Sequence, residues 1–431
     1  MILFFNPGHE TAVQNSSPYY TAPANVATMR QELSFLPAWY GVGSDLVLTD
    51  KKIDGKYHDF LLKNLPSLPK PVTKESLPCH PEAEVSLWGI SPQAIHYFSE
   101  INKEYGTSLR LPEWNEAYIY LNSRQAARDC LTELAGNISG ISGNISPVFY
   151  NRLEDIEEAV NNSSRQLLAK APYSSSGRGL LWLPPTGLTR TERQIMHGIL
   201  KKQGSVSIER ALDKQTDFAM EFICDGQGDI EFAGYSLFYT SHKGAYLGNC
   251  LDSQEHIMYE LAKGIPLHLL EETRLGLTAI LKEKYSRVYK GCIGVDMLVY
   301  KEEEEYKVHP CLEINMRYNM GYLALKLFEN HIDPLSHGHY HLDFSSKEGG
   351  IYNRHKQMET QYPATFKNGR LAKGYLPLCP VGFDSKYWAY AIVDARKNAY
   401  LQSLKKSSTI LSSIPDSLAF RKSSLANRFS Y

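Results

Sequence analysis

Short apolar runs alternate with amphipathic stretches over the first 118 residues. The runs at 2–5, 45–48 and 85–88 read as strands, and 22–36 and 92–105 read as helices, the first with Pro23 near the helix start that tolerates proline best. Such strand–helix alternation predicts a small open α/β sheet with helices on its faces. The Pro- and Lys-rich piece at 66–74 reads as a surface connection.

A second unit is expected over 122–170, with a helix at 124–134 capped by Asn122 or Ser123 and a Gly/Ser-rich connector at 136–147. An extended stretch from Phe149, a helix at 154–160 and a strand at 166–169 ending at Lys170 follow, and the strand pattern resumes at 180–183. A third unit holds strands at 205–211, 217–224 and 230–238, a long helix at 267–285, and strands at 292–300 and 306–314. Beyond 335 the pattern weakens; GYLPLCPVGF and YWAYAIVDA read as strands, and the Ser-rich, basic end over 405–431 reads as poorly ordered.

Composition narrows the function. The 431 residues suffice for two or three domains, are 43% hydrophobic and 22% charged, and carry a net charge of −1. No overall field draws nucleic acid or an anionic membrane, and neither is expected as a partner. The apolar start, cut off by Asn6 and Pro7, is too short for a signal-peptide core, and the seven cysteines form no CxxC pair. Reduced thiols and a cytoplasmic location are the expectation.

The most informative stretch is GVDMLVYKEEEEYKVHPCLEIN, residues 294–315. Its acidic centre reads as a solvated turn between two strands. With the turn centred near Glu304–Glu305, Asp296 and Glu313 fall opposite each other in an antiparallel pair. Asn315, two residues from Glu313, points to the same face. Two facing carboxylates repel unless a cation lies between them, and a few hard oxygens on a rigid sheet suit Mg²⁺ that takes its remaining ligands from water and phosphates.

Upstream, AKAPYSSSGRGLL places Lys170 at a strand end before a loop of small residues. Glycines expose successive backbone N–H groups to an anion, and lysine is a point charge suited to phosphate oxygens. The loop is neither a Walker A motif nor a GxGxxG fingerprint. With the carboxylate hairpin, the order of features over about 120–330 resembles the ATP-grasp superfamily, in which two lobes close on ATP.

The resemblance implies an ATP-grasp fold of α/β class behind a small N-terminal pre-ATP-grasp domain. The expected divisions are 1–118 for that domain, 119–205 for the first lobe with its lid loop, 206–335 for the second lobe, and 336–431 for a partly accessory extension. It assigns Mg²⁺, expected as two ions with Mn²⁺ able to substitute, to Asp296, Glu313 and Asn315. ATP is assigned to Arg124, Lys170, Ser174, Ser175, Ser176, Gly177, Gly179, Glu209, the Arg210–Ala211 backbone and Asp217, with Asp213 competing for the ribose. Lys170 and Arg317 are the expected catalytic cations, Arg317 holding a carboxylate or acyl phosphate. FNPGHE, YTAPANVATMRQELSFLPAWYG and SLWGISPQA resemble segments of a poorly characterised bacterial ATP-grasp group.

Substrate contacts are expected from His9 and Glu10 after the first strand, where ligands collect in open α/β sheets. Lys243, Tyr246 and Asn249 are expected to add a second set from YTSHKGAYLGN, which reads equally as a substrate-facing loop or an exposed hairpin. The spaced His337, His339 and His341 lack supporting ligands and read as structural. The function implied is a ligase that activates a small-molecule carboxylate as an acyl phosphate and joins it to an amine, releasing ADP and phosphate. A small-molecule kinase and a non-catalytic nucleotide sensor are the alternatives, and a homo-oligomer is compatible with any of them.

Overall fold

The computed structural model describes residues 1–174, 179–241 and 244–396. The N-terminal sheet is parallel, in the order β3 (Lys70–Val72), β2 (Leu46–Leu48), β1 (Ile2–Phe4), β4 (Val85–Leu87). The unbroken apolar run at the start follows from burial on both faces. Leu3 and Phe5 pack into one core, while Ile2 and Phe4 pack into another. β3 corrects the surface connection expected at 66–74; its Pro71 is tolerated because the strand is at the sheet edge.

Helix α1 (His9–Asn15) starts directly after β1, turned by Gly8 at φ 79°, where a side chain would be strained. The helix expected over 22–36 is shorter, α2 (Ala24–Glu32), with Pro23 at its cap; a 3₁₀ turn at Leu36–Trp39 follows. Helix α3 (Gly55–Asn64) was not anticipated, whereas α4 (Pro92–Tyr105) has the expected bounds and is capped by Ser91, whose Oγ accepts from the Ala94 amide at 3.2 Å.

Helix α5 (Ala117–Leu121) leads to α6 (Arg124–Asn137), which Ser123 caps. The Gly/Ser stretch after it is more than a connector. Its Ile138, Ile141 and Ile145 are buried in the largest core, beside Leu134 and Leu277. The small lobe is an antiparallel sheet ordered β5 (Val148–Tyr150), β8 (Val206–Arg210), β6 (Leu167–Lys170), β7 (Leu180–Leu183). α7 (Leu153–Asn161) and α8 (Arg190–Gln203) cover it through Ile156, Val160 and Met196.

The large sheet has nine strands. In chain order these are β9 (Asp213–Asp225), β10 (Ile230–Thr240), β11 (Tyr246–Leu251), β12 (Lys290–Glu302), β13 (Glu305–Asn315), β14 (Ser336–Phe344), β15 (Thr365–Lys367), β16 (Arg370–Pro377) and β17 (Tyr387–Ala395). They lie side by side as β13-β12-β9-β10-β11-β14-β17-β16-β15. The division expected at 335 falls inside this sheet. Helices α9 (Gln254–Leu261), α10 (Leu267–Lys284), α11 (Met320–His331) and α12 (Gly350–Gln361) pack around it. The C-terminal stretch at 405–431 lies outside the described residues. No helix among the described residues is long and apolar enough to cross a membrane.

Candidate active site

The hairpin β12–β13 brings Asp296 opposite Glu313, and Gly294 opposite Asn315. The turn is at Glu303 and Glu304, one residue earlier than expected. Near it, Leu298 pairs with His309, and the register then shifts by two residues around Pro310 to give the Asp296–Glu313 pair. Proline lacks the N–H that a continuous ladder needs, so an irregularity at that point is physically natural. Burial, with Glu313 and Glu221 nearby, holds the Asp296 carboxyl well above the usual range despite Arg317 and Asn315.

Facing this hairpin, Lys170 forms a buried ion pair with Glu209 of β8. Burial opposes the ionised Glu209, but Lys170 outweighs it and brings its pKa below the ordinary value. Arg124, at the start of α6, bridges the two lobes. It donates to Glu313 Oε2 at 2.8 Å, Ala171 O at 3.2 Å, Leu312 O at 3.4 Å and Ser174 Oγ at 3.4 Å. The loop after Lys170 is pinned at its base by the Ala171 amide, which donates to Gly179 O at 3.0 Å. Ser175, Ser176, Gly177 and Arg178 lie outside the described residues.

Between the lobes, Arg210 is ion-paired with Glu302, which Lys307 also contacts at 2.8 Å. The Ala211 amide donates to Gln166 O at 2.9 Å, so this N–H of the expected adenine-reading backbone is already engaged. Asp217 accepts from Lys214 Nζ at 2.6 Å and Thr240 Oγ1 at 2.7 Å, while Asp213 is exposed at the start of β9.

The N-terminal unit enters the site through α1. Arg317 Nε donates to Glu10 Oε1 at 2.6 Å, and its Nη2 donates to Asn315 Oδ1 at 2.9 Å. Burial raises the Glu10 carboxyl, but Arg317 more than compensates and keeps it below its ordinary pKa. His9 is buried against Gly89, where a Cβ would overlap its ring, and its Nε2 lies 3.0 Å from Ile90 O. Desolvation lowers its pKa to about 4.

Glu221, Ser236 and Asn319 belong to the same cleft, about 590 Å³ in volume, and escaped the sequence reading. Glu221 accepts from Asn319 Nδ2 at 2.7 Å and Ser236 Oγ at 3.1 Å, and burial raises its pKa to about 7. Its only sequence signal is a lone acid inside the apolar run FAMEFIC. Tyr246 and Asn249 also line the cleft, on strand β11 rather than a loop, because Gly248 and Asn249 ladder with β14. Lys243 and His242 lie outside the described residues. Arg30 on α2 pairs with Asp50 at 3.2 Å.

His337, His339 and His341 do lie on one strand, where His341 stacks on Tyr390 at 5.0 Å and His339 packs beside Tyr239 at 5.6 Å. Among the described residues, no group of three or more His, Cys, Asp or Glu is arranged to hold a metal. The hairpin set is of another kind, two carboxylates and an amide.

No family model matches the chain, and no curated protein does. Solved structures similar to it include N5-carboxyaminoimidazole synthetase from Staphylococcus aureus complexed with ADP, at 10% identity and TM-score 0.45, covering 94% of this chain and 96% of that one. Biotin carboxylase from Campylobacter jejuni, in a beta-gamma-ATP complex, is 12% identical with TM-score 0.47, covering 94% and 90%. L-amino acid ligase from Bacillus licheniformis is 14% identical with TM-score 0.36, covering 81% of each chain. By its own topology the chain is a parallel α/β unit followed by two antiparallel sheets that line one cleft, the two-lobed arrangement anticipated from its sequence.

Proposed function

We propose that the chain is an ATP- and Mg²⁺-dependent ligase that activates a carboxylate as an acyl phosphate and couples it to an amine. The observation that carries the reading is the facing of Asp296 and Glu313 on β12–β13, in one cleft with the Lys170–Glu209 pair of the small lobe. Two facing carboxylates with an amide oxygen beside them fit a small hard cation, and Glu313 helps hold the Asp296 carboxyl above its usual range. Asp296, Glu313 and Asn315 would hold Mg²⁺, which when bound neutralises phosphate charge.

The chain's own residues supply the rest. Lys170 and Arg124 offer positive charge to phosphate oxygens. Glu209, the Arg210–Ala211 backbone and Asp217 form the nucleoside end. Arg317, steered by Glu10, receives the acid substrate. The carboxylate oxygen bonds to the γ-phosphorus as the bond to ADP breaks; the amine nitrogen then bonds to the acyl carbon as phosphate leaves. Such a reaction needs positioning and charge neutralisation rather than a protein nucleophile. None of the buried cysteines is called on.

The test is ADP release by the purified protein with MgATP and pools of acids and amines, with the product identified by mass spectrometry. An amide product supports the ligase. A stable phosphoester would put a kinase in its place, and no turnover with intact nucleotide binding would leave a sensor.

A further inference from the structure

In the parallel sheet of the N-terminal unit, β2 and β3 lie to one side of β1 and β4 lies to the other, so the strand order reverses between β1 and β4. Open α/β sheets collect ligands outside the carboxyl ends of their strands at such a point. Phe5 to Gly8 follow β1 there, and Trp88 follows β4. Asn6 sutures the two strand ends: its Nδ2 donates to Gly89 O at 2.7 Å, and its Oδ1 accepts from the Gly89 amide at 3.2 Å. The rings of Phe5 and Trp88 meet edge to face at 4.9 Å. Two contacts join this point to the segment around Arg317. The Trp88 carbonyl accepts from the Tyr318 amide at 2.8 Å, and Glu10 pairs with Arg317 at 2.6 Å.

The cleft wall at this end is apolar. Phe5 and Trp88 are buried in one core, Met29, Met320 and Leu342 pack half-buried against the same core, and all five line the cleft. Among the described residues, the N-terminal unit gives the cleft one charged side chain, Glu10, which Arg317 already matches. The other lysines and arginines that line it are Arg124, Lys170, Arg210 and Lys214, and each contacts a carboxylate, of Glu313, Glu209, Glu302 and Asp217 in turn. A charged group set against Phe5 and Trp88 loses its water and finds no partner, whereas hydrocarbon gains by leaving water.

Resting on the ligase reading, we infer that the acid to be activated is monobasic and apolar, a carboxylate for Arg317 joined to an aliphatic or aromatic hydrocarbon group held by Phe5, Met29, Trp88 and Met320. A phosphorylated or dicarboxylic acid meets no spare counter-charge among the described residues at that end.

The test uses hydroxylamine, whose nitrogen bonds to the acyl carbon of an acyl phosphate as phosphate leaves, giving a hydroxamate. Wild type, Met29→Ala, Met320→Ala, Met29→Leu and Met29→Lys receive MgATP, hydroxylamine and one acid at a time. The apolar acids are the straight-chain series from acetate to decanoate, benzoate and phenylacetate; the polar set is succinate, glutarate and 3-phosphoglycerate. ADP affinity by calorimetry and melting temperature are measured alongside. The best apolar acid should show a kcat/KM at least about tenfold above any polar one. Its KM should rise about fivefold or more in the two alanine variants and return towards the wild-type value in Met29→Leu, with KM for ATP within about twofold throughout. A change in KM confined to the acid marks lost binding rather than a damaged fold. Met29→Lys should shift the preference towards the dicarboxylic acids.

A wild type that prefers succinate, glutarate or 3-phosphoglycerate overturns the inference and leaves the ligase reading standing. An unchanged acid KM in both folded alanine variants does the same, as does ADP binding without hydroxamate from any apolar acid. Absence of ADP binding in the wild type overturns the ligase reading itself and the acid seat with it.

Discussion

Asp296 faces Glu313 because β13 carries two more residues than β12 between that pairing and the pairing of Leu298 with His309. Extended from the turn without this shift, the ladder would set Cys311 against Asp296. The two carboxylates then meet, with Arg124 contacting Glu313 from one side and Arg317 within the field of both. Asp296→Asn removes the repulsion and one oxygen anion together. The metal-free variant is expected to gain about 1 kcal/mol in unfolding free energy, while its affinity for MgADP falls about tenfold or more. Urea unfolding and calorimetry measure the two effects, and a variant that loses stability yet binds MgADP normally contradicts the assignment.

Lys170 and Glu209 are both largely buried, so removing one strands the other. Lys170→Met is expected to cost about 3–5 kcal/mol by leaving an unpaired carboxylate. The double variant Lys170→Met/Glu209→Leu should recover most of that loss, because an apolar pair replaces an ion pair at little net cost. Neither variant should bind ADP well. Thermal melts together with ADP titration separate the two roles, and recovery of binding in the double variant would remove Lys170 from the nucleotide site.

Glu303 holds φ 56° in the two-residue turn of the same hairpin, a conformation that costs a side-chain-bearing residue about 1 kcal/mol. Glu303→Gly should stabilise the protein by roughly 0.5–1 kcal/mol with no change in nucleotide affinity. A lower melting temperature would show that the glutamate side chain contributes more than the backbone strain costs.

Three buried histidines make the fold sensitive to acid. Desolvation lowers His9, His309 and His331 from 6.5 to about 4. Between those values the unfolded chain takes up the protons first, so stability present above pH 6.5 is lost as the pH falls towards 4. Each group contributes up to roughly 3 kcal/mol to that loss. Among the described residues neither ring nitrogen of His331 has a partner, and the ring packs edge-on against Trp39 at 5.5 Å, so leucine can take its place. His331→Leu should flatten the fall in unfolding free energy between pH 7 and 4.5 by up to one proton's worth, and an unaltered slope excludes His331 as a contributor.

The hairpin was legible because period-2 alternation on both sides of an acidic turn carries strand, turn and facing pairs in one local pattern. The sequence reading reached the right pair from a turn one residue too late, since the shift around Pro310 makes up the difference. Helices α9 and α11 and strand β14 escaped the sequence reading, although each lays its apolar positions against a single core. Glu221 was out of reach. Its meaning depends on Gly294 and Gly321, which come near it only in the fold. Likewise, nothing in NPGHE or EINMRYNMG announces that Glu10 and Arg317 will meet.

That meeting also fixes a timetable. Arg317 lies 307 residues beyond Glu10, the Trp39 indole donates to Leu378 O at 2.7 Å across 339 residues, and Glu32 accepts from the Lys386 and Tyr387 amides. A chain leaving the ribosome therefore makes its first helices long before their partners exist. Until the last strands emerge, Glu10 remains a carboxylate without its arginine and Trp39 an indole without its carbonyl. Contacts of such span slow folding, and they leave the earliest part of the chain dependent on the latest for closure. A truncation that spares every nucleotide-site residue but removes β16 and β17 should thus yield a nascent chain that waits for a chaperone, its opening sheet exposed.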